Sequence, residues 1–218
     1  MFKVALYLLI AVILAIFLLP FFYTVSPYQL DSSKILQAPS LEHLFGTDRL
    51  GRDMLARILE GGQTSLIIGF LAASISSIVG LFIGINAGYF KGNIDKSITI
   101  TIDLFLTFPT FFLLLALVSY IQASAVILII VISITGWMGM ARMIRSESFA
   151  IGNKPFIKIL KVANVSTFKI IFKYFAPLLA PIFLISFTFG VGGSILAESG
   201  LSFLGLGINP PQMSSQVL

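Results

Sequence analysis

Apolar residues along this chain come in long unbroken blocks, separated by short stretches that carry nearly all the charge. No Asp, Glu, Lys or Arg occurs in residues 4–30, 61–90, 104–141 or 174–197. Each block reaches the roughly 20 residues a helix needs to cross a hydrocarbon core. The pattern predicts an all-α fold, a polytopic transmembrane helical bundle. The first block, Val4–Tyr23, follows Lys3 and is longer than the apolar core of a signal peptide; with no small-x-small site before the polar stretch, it reads as a retained helix. The second span lies within Thr64–Phe90, where Gly80, Gly84 and Gly88 form two overlapping GxxxG pairs that permit close helix contact. Residues 104–141 are long for one helix and sufficient for two short ones, with a tight turn at Ser119-Tyr120-Ile121-Gln122 and a kink at Pro109. The fifth span runs from about Tyr174 to Ala197, with Pro177 near its start and Pro181 one turn later. The expected count is five.

Composition narrows the class. The 218 residues are 57% hydrophobic and 11% charged, too few charges to coat a water-facing surface, and there is no cysteine. A soluble enzyme, a disulfide scaffold and a disordered chain are excluded. The net charge of +5 does not point to nucleic acid, because no basic patch is interleaved with exposed aromatics. Its distribution gives an orientation instead. With the N-terminus inside, Lys3, Lys91, Lys96 and the seven basic residues of 142–173 are cytoplasmic, ten against four outside (Lys34, Arg49, Arg52, Arg57).

Two polar segments carry candidate chemistry. Residues 142–173 hold seven basic residues and one acid, Glu147. Pro155 can open a helix there. Phe156, Ile159, Leu160 and Ala163 follow at helical spacing as one apolar stripe, with Lys154, Lys158 and Lys161 near a second face. Such a helix either rests in the headgroup layer or inserts into a groove of a cytoplasmic partner; the residues alone leave both open. The external stretch contains Gly46-Thr47-Asp48-Arg49-Leu50-Gly51-Arg52-Asp53, in which Asp48 and Asp53 can cap a helix start or pair with Arg52 and Arg57.

This external run, followed by Arg57, Gly61 and Ser65-Leu66, resembles the entry to the second span in bacterial ABC-importer permeases, in particular the C-type subunit of the dipeptide/oligopeptide/nickel group. The run Ile195–Gly207, containing Glu198, Gly200, Leu201, Ser202, Phe203, Leu204, Gly205 and Gly207, then Pro210 and Pro211, is similar to that family's signature after its fifth span. The resemblance covers most of residues 40–212 and implies a type I importer permease fold. It implies a second homologous permease, two cytoplasmic ATP-binding subunits, an external substrate-binding protein, and a place in the bacterial inner membrane. The cargo would be peptides, nickel or metal chelates. ATP would be used by the partners, since this chain has no GxxxxGK[ST] loop and no cofactor of its own.

The family's coupling sequence, Glu-Ala-Ala with a Gly six residues after the Glu, falls on Lys158, Ile159, Leu160 and Asn164, and its later Leu-Pro on Ala176-Pro177. The spacing fits and the residue types depart. Asn is the best non-Gly residue where a turn needs positive φ, whereas Lys for Glu reverses a charge. The organisation expected is an N-terminal helix (1–23), an external loop (24–63), a permease core (64–212) and a divergent tail (213–218). The family has a sixth span after the Pro-Pro region, so the chain reads as truncated before it. A secondary transporter and a non-transporting anchor or fragment are the rival readings. No catalytic arrangement or metal-ligand set is visible, and His43 reads as an exposed loop histidine. Asp103 and Glu198 flank spans and read as helix-end or pairing acids, with a transport role as the alternative.

Overall fold

The computed structural model describes residues 2–120 and 124–207. Among them the regular structure is helical: α1 (Phe2–Leu18), α2 (Met54–Phe90), α3 (Gly92–Thr107), α4 (Thr110–Ser119), α5 (Ala125–Gly152), α6 (Pro155–Val162), α7 (Thr167–Ile170) and α8 (Ala176–Phe203). Four helices are long and apolar enough to span a membrane, counting α7 to α8 as one run, and the bent pair α3–α4 makes up to five. The chain divides into two compact units, one extending to Ile67 and the other beginning at Ile68.

Several boundaries differ from expectation for one reason. An uncharged block marks where a helix is inside lipid, not where it ends. Thus α2 begins at Met54, before the expected Thr64, carrying Arg57 and Glu60 on its first turns. Likewise α3 begins at Gly92 rather than near 104, and α5 runs on to Gly152 past the expected limit at Ala141. Pro109 does more than kink: helix stops at Thr107, resumes at Thr110, and turns by 77°. Pro109 has no N–H to donate, and the residue before a proline is pushed to extended backbone; Phe108 has ψ 134°. Ile121 and Gln122 of the expected tight turn lie outside the described residues, though α4 does end at Ser119. The run into α8 passes through one wider π turn, Ile171–Phe175, which ends directly before Ala176 at the start of α8.

In the first unit, α1 is apolar all round and leaves its side chains exposed, as a lipid-facing helix does. It meets α2 where Gln63 Nε2 donates to Ile16 O (3.0 Å) and where Gly62 admits the Ile16 side chain.

In the second unit α5 is the central helix, half buried along its span. Its contact with α2 is made by small residues. A Cβ built on Gly80, Gly84 or Gly88 would fall 2.7, 2.7 and 2.5 Å from Met140, Ala141 and Ser148. Ala72 and Ser76 continue the same four-residue stripe. Ser76 Oγ donates to Ser133 O, and Ser133 Oγ to Ala72 O, each at 3.3 Å. The expected GxxxG contact is therefore present and longer than the glycines alone indicated. On another side of α5, α3 packs Ile102 against Met138 and Ala141, and two ion pairs tie the helices, Asp95 to Arg145 and Asp103 to Arg142. Asp103 is thus a pairing acid.

Gly84→Leu should overpack the α2–α5 contact and lower stability by about 1–3 kcal/mol. A Cβ on Gly61 meets nothing within 4 Å, so Gly61→Ala should leave stability unchanged or raise it by up to about 1 kcal/mol. Thermal unfolding of the two detergent-solubilised variants measures both.

Candidate functional site

The external motif is built around two glycines and two aspartates. Gly46 and Gly51 both have φ +73°, and a Cβ would strike Gln37 O at 2.3 Å and Asp31 O at 1.8 Å, so only glycine fits by conformation and by space. Between them Asp48 closes a tight turn: its Oδ1 accepts from the N–H of Leu50 (2.8 Å) and Arg52 (3.0 Å). Its Oδ2 accepts from Arg52 Nε (2.8 Å) and Arg57 Nη1. Burial works against the charged form, but the Arg52 and Leu50 amides and the Arg52 guanidinium outweigh it and hold the Asp48 carboxyl at about 2. Thr47 pairs with Asp53 as an isolated bridge, and its Oγ1 accepts from Gln37 N (2.8 Å).

Asp53 is the start signal of α2. It is 2% exposed, and its Oδ1 accepts from Ala56 N (2.7 Å), as an N-cap does. Its Oδ2 accepts from Tyr23 OH (2.7 Å) and from His43 Nδ1 (2.9 Å). The Asp53 carboxyl lies below its ordinary value because those donors outweigh its burial. Burial and donation to Asp53 push Tyr23 up to about 12. His43 is therefore not the exposed loop residue expected but a buried side chain pinned to the helix cap. The sequence holds no local signal for this, since His43 and Asp53 meet only when the loop closes. The capping and pairing roles foreseen for Asp48, Asp53, Arg52 and Arg57 are all occupied.

The second unit holds a cavity of about 540 Å³ walled by α2, α4, α5 and α8. It is lined by Ser76, Ser77, Thr110, Thr135, Ser186 and Ser194, by glycines 136, 139, 190 and 193, and by Met140, Met143 and Phe189; Ser76 and Thr135 turn their hydroxyls to backbone carbonyls. Among the described residues no ionisable side chain lines it. Small and hydroxyl residues leave room and exposed backbone, while the apolar ones supply contact area. None of these residues was singled out by periodicity, because every face of the spans is apolar. The local concentration of Gly and Ser at 186–194 is the one signal that could have marked them.

Beyond α5 the chain forms α6, opened by Pro155 at its first turn. Here the expected apolar stripe is out of phase. Ile157, not part of it, is fully buried, with Leu160 partly packed; Phe156, Ile159 and Ala163 are exposed. Ile157 sits in a cluster with Ile85 and Tyr89 of α2, Met140, Ile144 and Ile151 of α5, Ile170 of α7, Phe175 of the π turn and Leu179 of α8. The helix ends at Asn164, which has φ +54°. Asn164 N donates to Lys161 O and Val165 N to Leu160 O, each at 3.1 Å. This is a Schellman cap with Asn where glycine is usual, closed by the apolar pair Leu160 and Val165. Pro177 lies in the first turn of α8.

The Glu198–Gly207 run has the same construction at the far end of α8. It was expected to follow the fifth span, but helix continues through it to Phe203. Gly205 has φ +79°; Gly205 N donates to Ser202 O (3.0 Å) and Leu206 N to Leu201 O (2.9 Å). Leu201 and Leu206 close the cap within a cluster that includes Ile68, Leu114 and Leu128. Leu204 is the C-cap, and a Cβ on Gly207 would meet Ser202 Oγ at 2.1 Å. Glu198 is buried and accepts from Ser202 Oγ at 2.7 Å. Gly200 and Phe203 complete the last turns, with Phe203 exposed. Pro210 and Pro211 lie outside the described residues.

Comparison with known proteins places this architecture. Residues 80–217 match the family described as binding-protein-dependent transport system inner membrane component. The chain belongs to that family. It is 37% identical over 199 residues to the oligopeptide transport system permease protein OppC of Mycobacterium tuberculosis, covering 90% of this chain and 67% of the relative. It is 33% identical over 212 residues to the OppC of Haemophilus influenzae, covering 96% of this chain and 68% of the relative. It is 36% identical over 180 residues to the dipeptide transport system permease protein DppC of Bacillus subtilis, covering 83% and 56%. The inner membrane component is thus a multi-pass helical permease of the type I importer fold, a transport subunit in a complex with others, from the peptide group.

Two outcomes test the geometry of these motifs. The folded Asp48 value lies below the ordinary 3.8, so an unfolded chain takes up the proton first. Its stabilisation is complete above about pH 5 and is lost as the pH falls through 3.8 toward 2; hydrogen exchange at Leu50 and Arg52, corrected for intrinsic rates, should show protection disappearing in that window. At the other motif, Asn164→Gly should preserve or raise thermal stability, whereas Asn164→Val should lower it by about 1 kcal/mol or more.

Proposed function

We propose that this chain is the C-type permease of an ATP-driven peptide importer, with its N-terminus cytoplasmic in a bacterial inner membrane. It walls half of a translocation path together with a second, homologous permease. Two ATP-binding subunits on the cytoplasmic side hydrolyse ATP, and an external binding protein delivers the solute. This chain needs no cofactor of its own.

The observation that carries this reading is one side chain with two roles. Met140 lines the cavity and also belongs to the buried cluster that holds Ile157 of α6. A displacement of α6 is therefore passed through close-packed side chains to the cavity wall, because such a core transmits strain rather than absorbing it. Drawing α6 toward the partner permease's equivalent helix would bias the spans between outward-open and inward-open arrangements. The 77° break at Pro109 leaves α4, which contributes Thr110 and Leu114 to the wall, free of the ion pairs that bind α3 to α5.

Peptide fits this wall better than a bare metal ion. Hydroxyls and backbone groups can hydrogen-bond peptide amides, and the apolar residues can accept varied side chains. Nickel is held best by imidazole or thiolate, and the wall offers neither. The names of the relatives point the same way.

Gly139 lines the cavity, and a Cβ there meets nothing within 4 Å. Gly139→Phe should accordingly fill the path without disturbing packing. Peptide uptake should fall at least tenfold while the purified complex retains its subunits; normal uptake would remove the cavity from the path. Deleting residues 156–164 should abolish co-purification with an ATP-binding subunit, and undiminished recovery would sink the coupling role.

A further inference from the structure

Two ion pairs join α3 to α5, and they differ in kind. Arg145 holds both carboxylate oxygens of Asp95, with Nη2 donating to Oδ2 at 2.8 Å, and the two side chains are 29% and 15% exposed. Arg142 holds Asp103 through Nη2 alone, and these side chains are 54% and 57% exposed. An ion pair so open adds little to stability. The seating of α3 is already secured by Asp95 with Arg145 and by Ile102 against Met138 and Ala141. The charges of Asp103 and Arg142 are therefore available for another use.

Their position indicates which. Gly136, Gly139 and Met143 line the cavity from α5. At about 100° per residue, Arg142 lies about 60° to one side of Gly139 and Met143 about 40° to the other. Ser146, two turns beyond Gly139, returns to within about 20° of it. Arg142, Met143 and Ser146 are all exposed, so an open strip of α5 leads from the cavity toward Gly152, the end assigned to the cytoplasm above. Ile102, lying against Met138, sets Asp103 level with Gly139. Residues 104–141 carry no charge, so this pair is the first that a solute meets on leaving the cavity along the strip.

Charged side chains bordering an apolar span face water or protein in preference to lipid. A peptide in the uncharged cavity finds no ionic partner for its ammonium or its carboxylates. Asp103 and Arg142 offer one charge of each sign. A solute carboxylate can replace Asp103 at the guanidinium while a solute ammonium engages the released Asp103, so no charge is left unpaired during the exchange.

We propose that this strip is the inner leg of the solute path, and that Asp103 and Arg142 are specificity-determining residues that read the charges of the peptide as it leaves the cavity. The inference rests on the peptide-import role proposed above and adds the residues that discriminate among its solutes.

The test uses the full chain with its own transporter subunits in native membranes and compares uptake of the peptides Ala-Glu-Ala and Ala-Lys-Ala. One binding protein serves every variant, so its preference cancels when the ratio of the two uptakes is set against wild type. Arg142→Gln should lower the Glu-peptide to Lys-peptide ratio at least threefold, and Asp103→Asn should raise it at least threefold. An equal loss of both peptides would make the pair structural and overturn the proposal. A second measurement leaves the pair whole: Ser146→Cys places a thiol on the strip of a chain that has no cysteine. Its anionic sulfonatoethyl adduct should lower the same ratio at least threefold, and its cationic trimethylammonioethyl adduct should raise it. A thiol that does not react from water, because lipid or the second permease covers the strip, would overturn the proposal, as would an unchanged ratio in both adducts. Either result with normal uptake leaves the import role standing; no uptake of either peptide by wild type would overturn both.

Discussion

Lipid tails are as apolar as leucine, so two helices inside a bilayer gain little from burying apolar surface against each other and are held by what close approach alone provides. The stripe Ala72, Ser76, Gly80, Gly84 and Gly88 lets the backbone of α2 lie against α5 closely enough for seryl hydroxyls to reach carbonyls across the interface. The other packing in the second unit follows from this contact. It fixes Met140 between the cavity and the cluster beneath α6, sets Ser76 and Ser77 into the cavity wall, and leaves other faces of α5 for α3, α4 and α8.

Two helix ends in this unit are finished in the same way. A left-handed residue, Asn164 or Gly205, reverses the chain, and an apolar pair across the cap seats it in a buried cluster. Capping of this kind satisfies carbonyls that would otherwise be orphaned at the helix end. It also fixes the direction in which the next segment leaves. Asn164 holds that geometry at φ +54°, so this turn is made without glycine.

The legible features were those set by local rules. Apolar blocks marked the spans, the glycine repeat marked a close-packing face on α2 without naming its partner, and the resemblance to the family's coupling sequence, with the tolerance of Asn for positive φ, marked the turn at the end of α6. What could not be read depended on long-range closure or on phase. His43 reaches Asp53 only after ten residues of loop have folded back on themselves. The apolar stripe of α6 missed its anchor because the apolar arc is wider than one stripe, running from Ile157 through Leu160 and Phe156 to Ile159 and Val162, and the stripe chosen lies toward the side its own chain leaves open. Helix limits were misplaced wherever helix continues beyond the uncharged block, as at Met54 and Gly152. The cavity wall was hidden for a related reason, since glycine and serine among leucines read equally well as packing residues.

The absence of ionisable side chains from that wall has an electrical consequence. Moving one elementary charge through the membrane field is worth about 2.3 kcal/mol per 100 mV. A wall of hydroxyl, backbone and apolar groups carries no fixed charge through the field when it rearranges. On the path proposed above, the membrane potential would act along this surface on the net charge of the solute alone, and a zwitterionic peptide would pass it without electrical cost or gain.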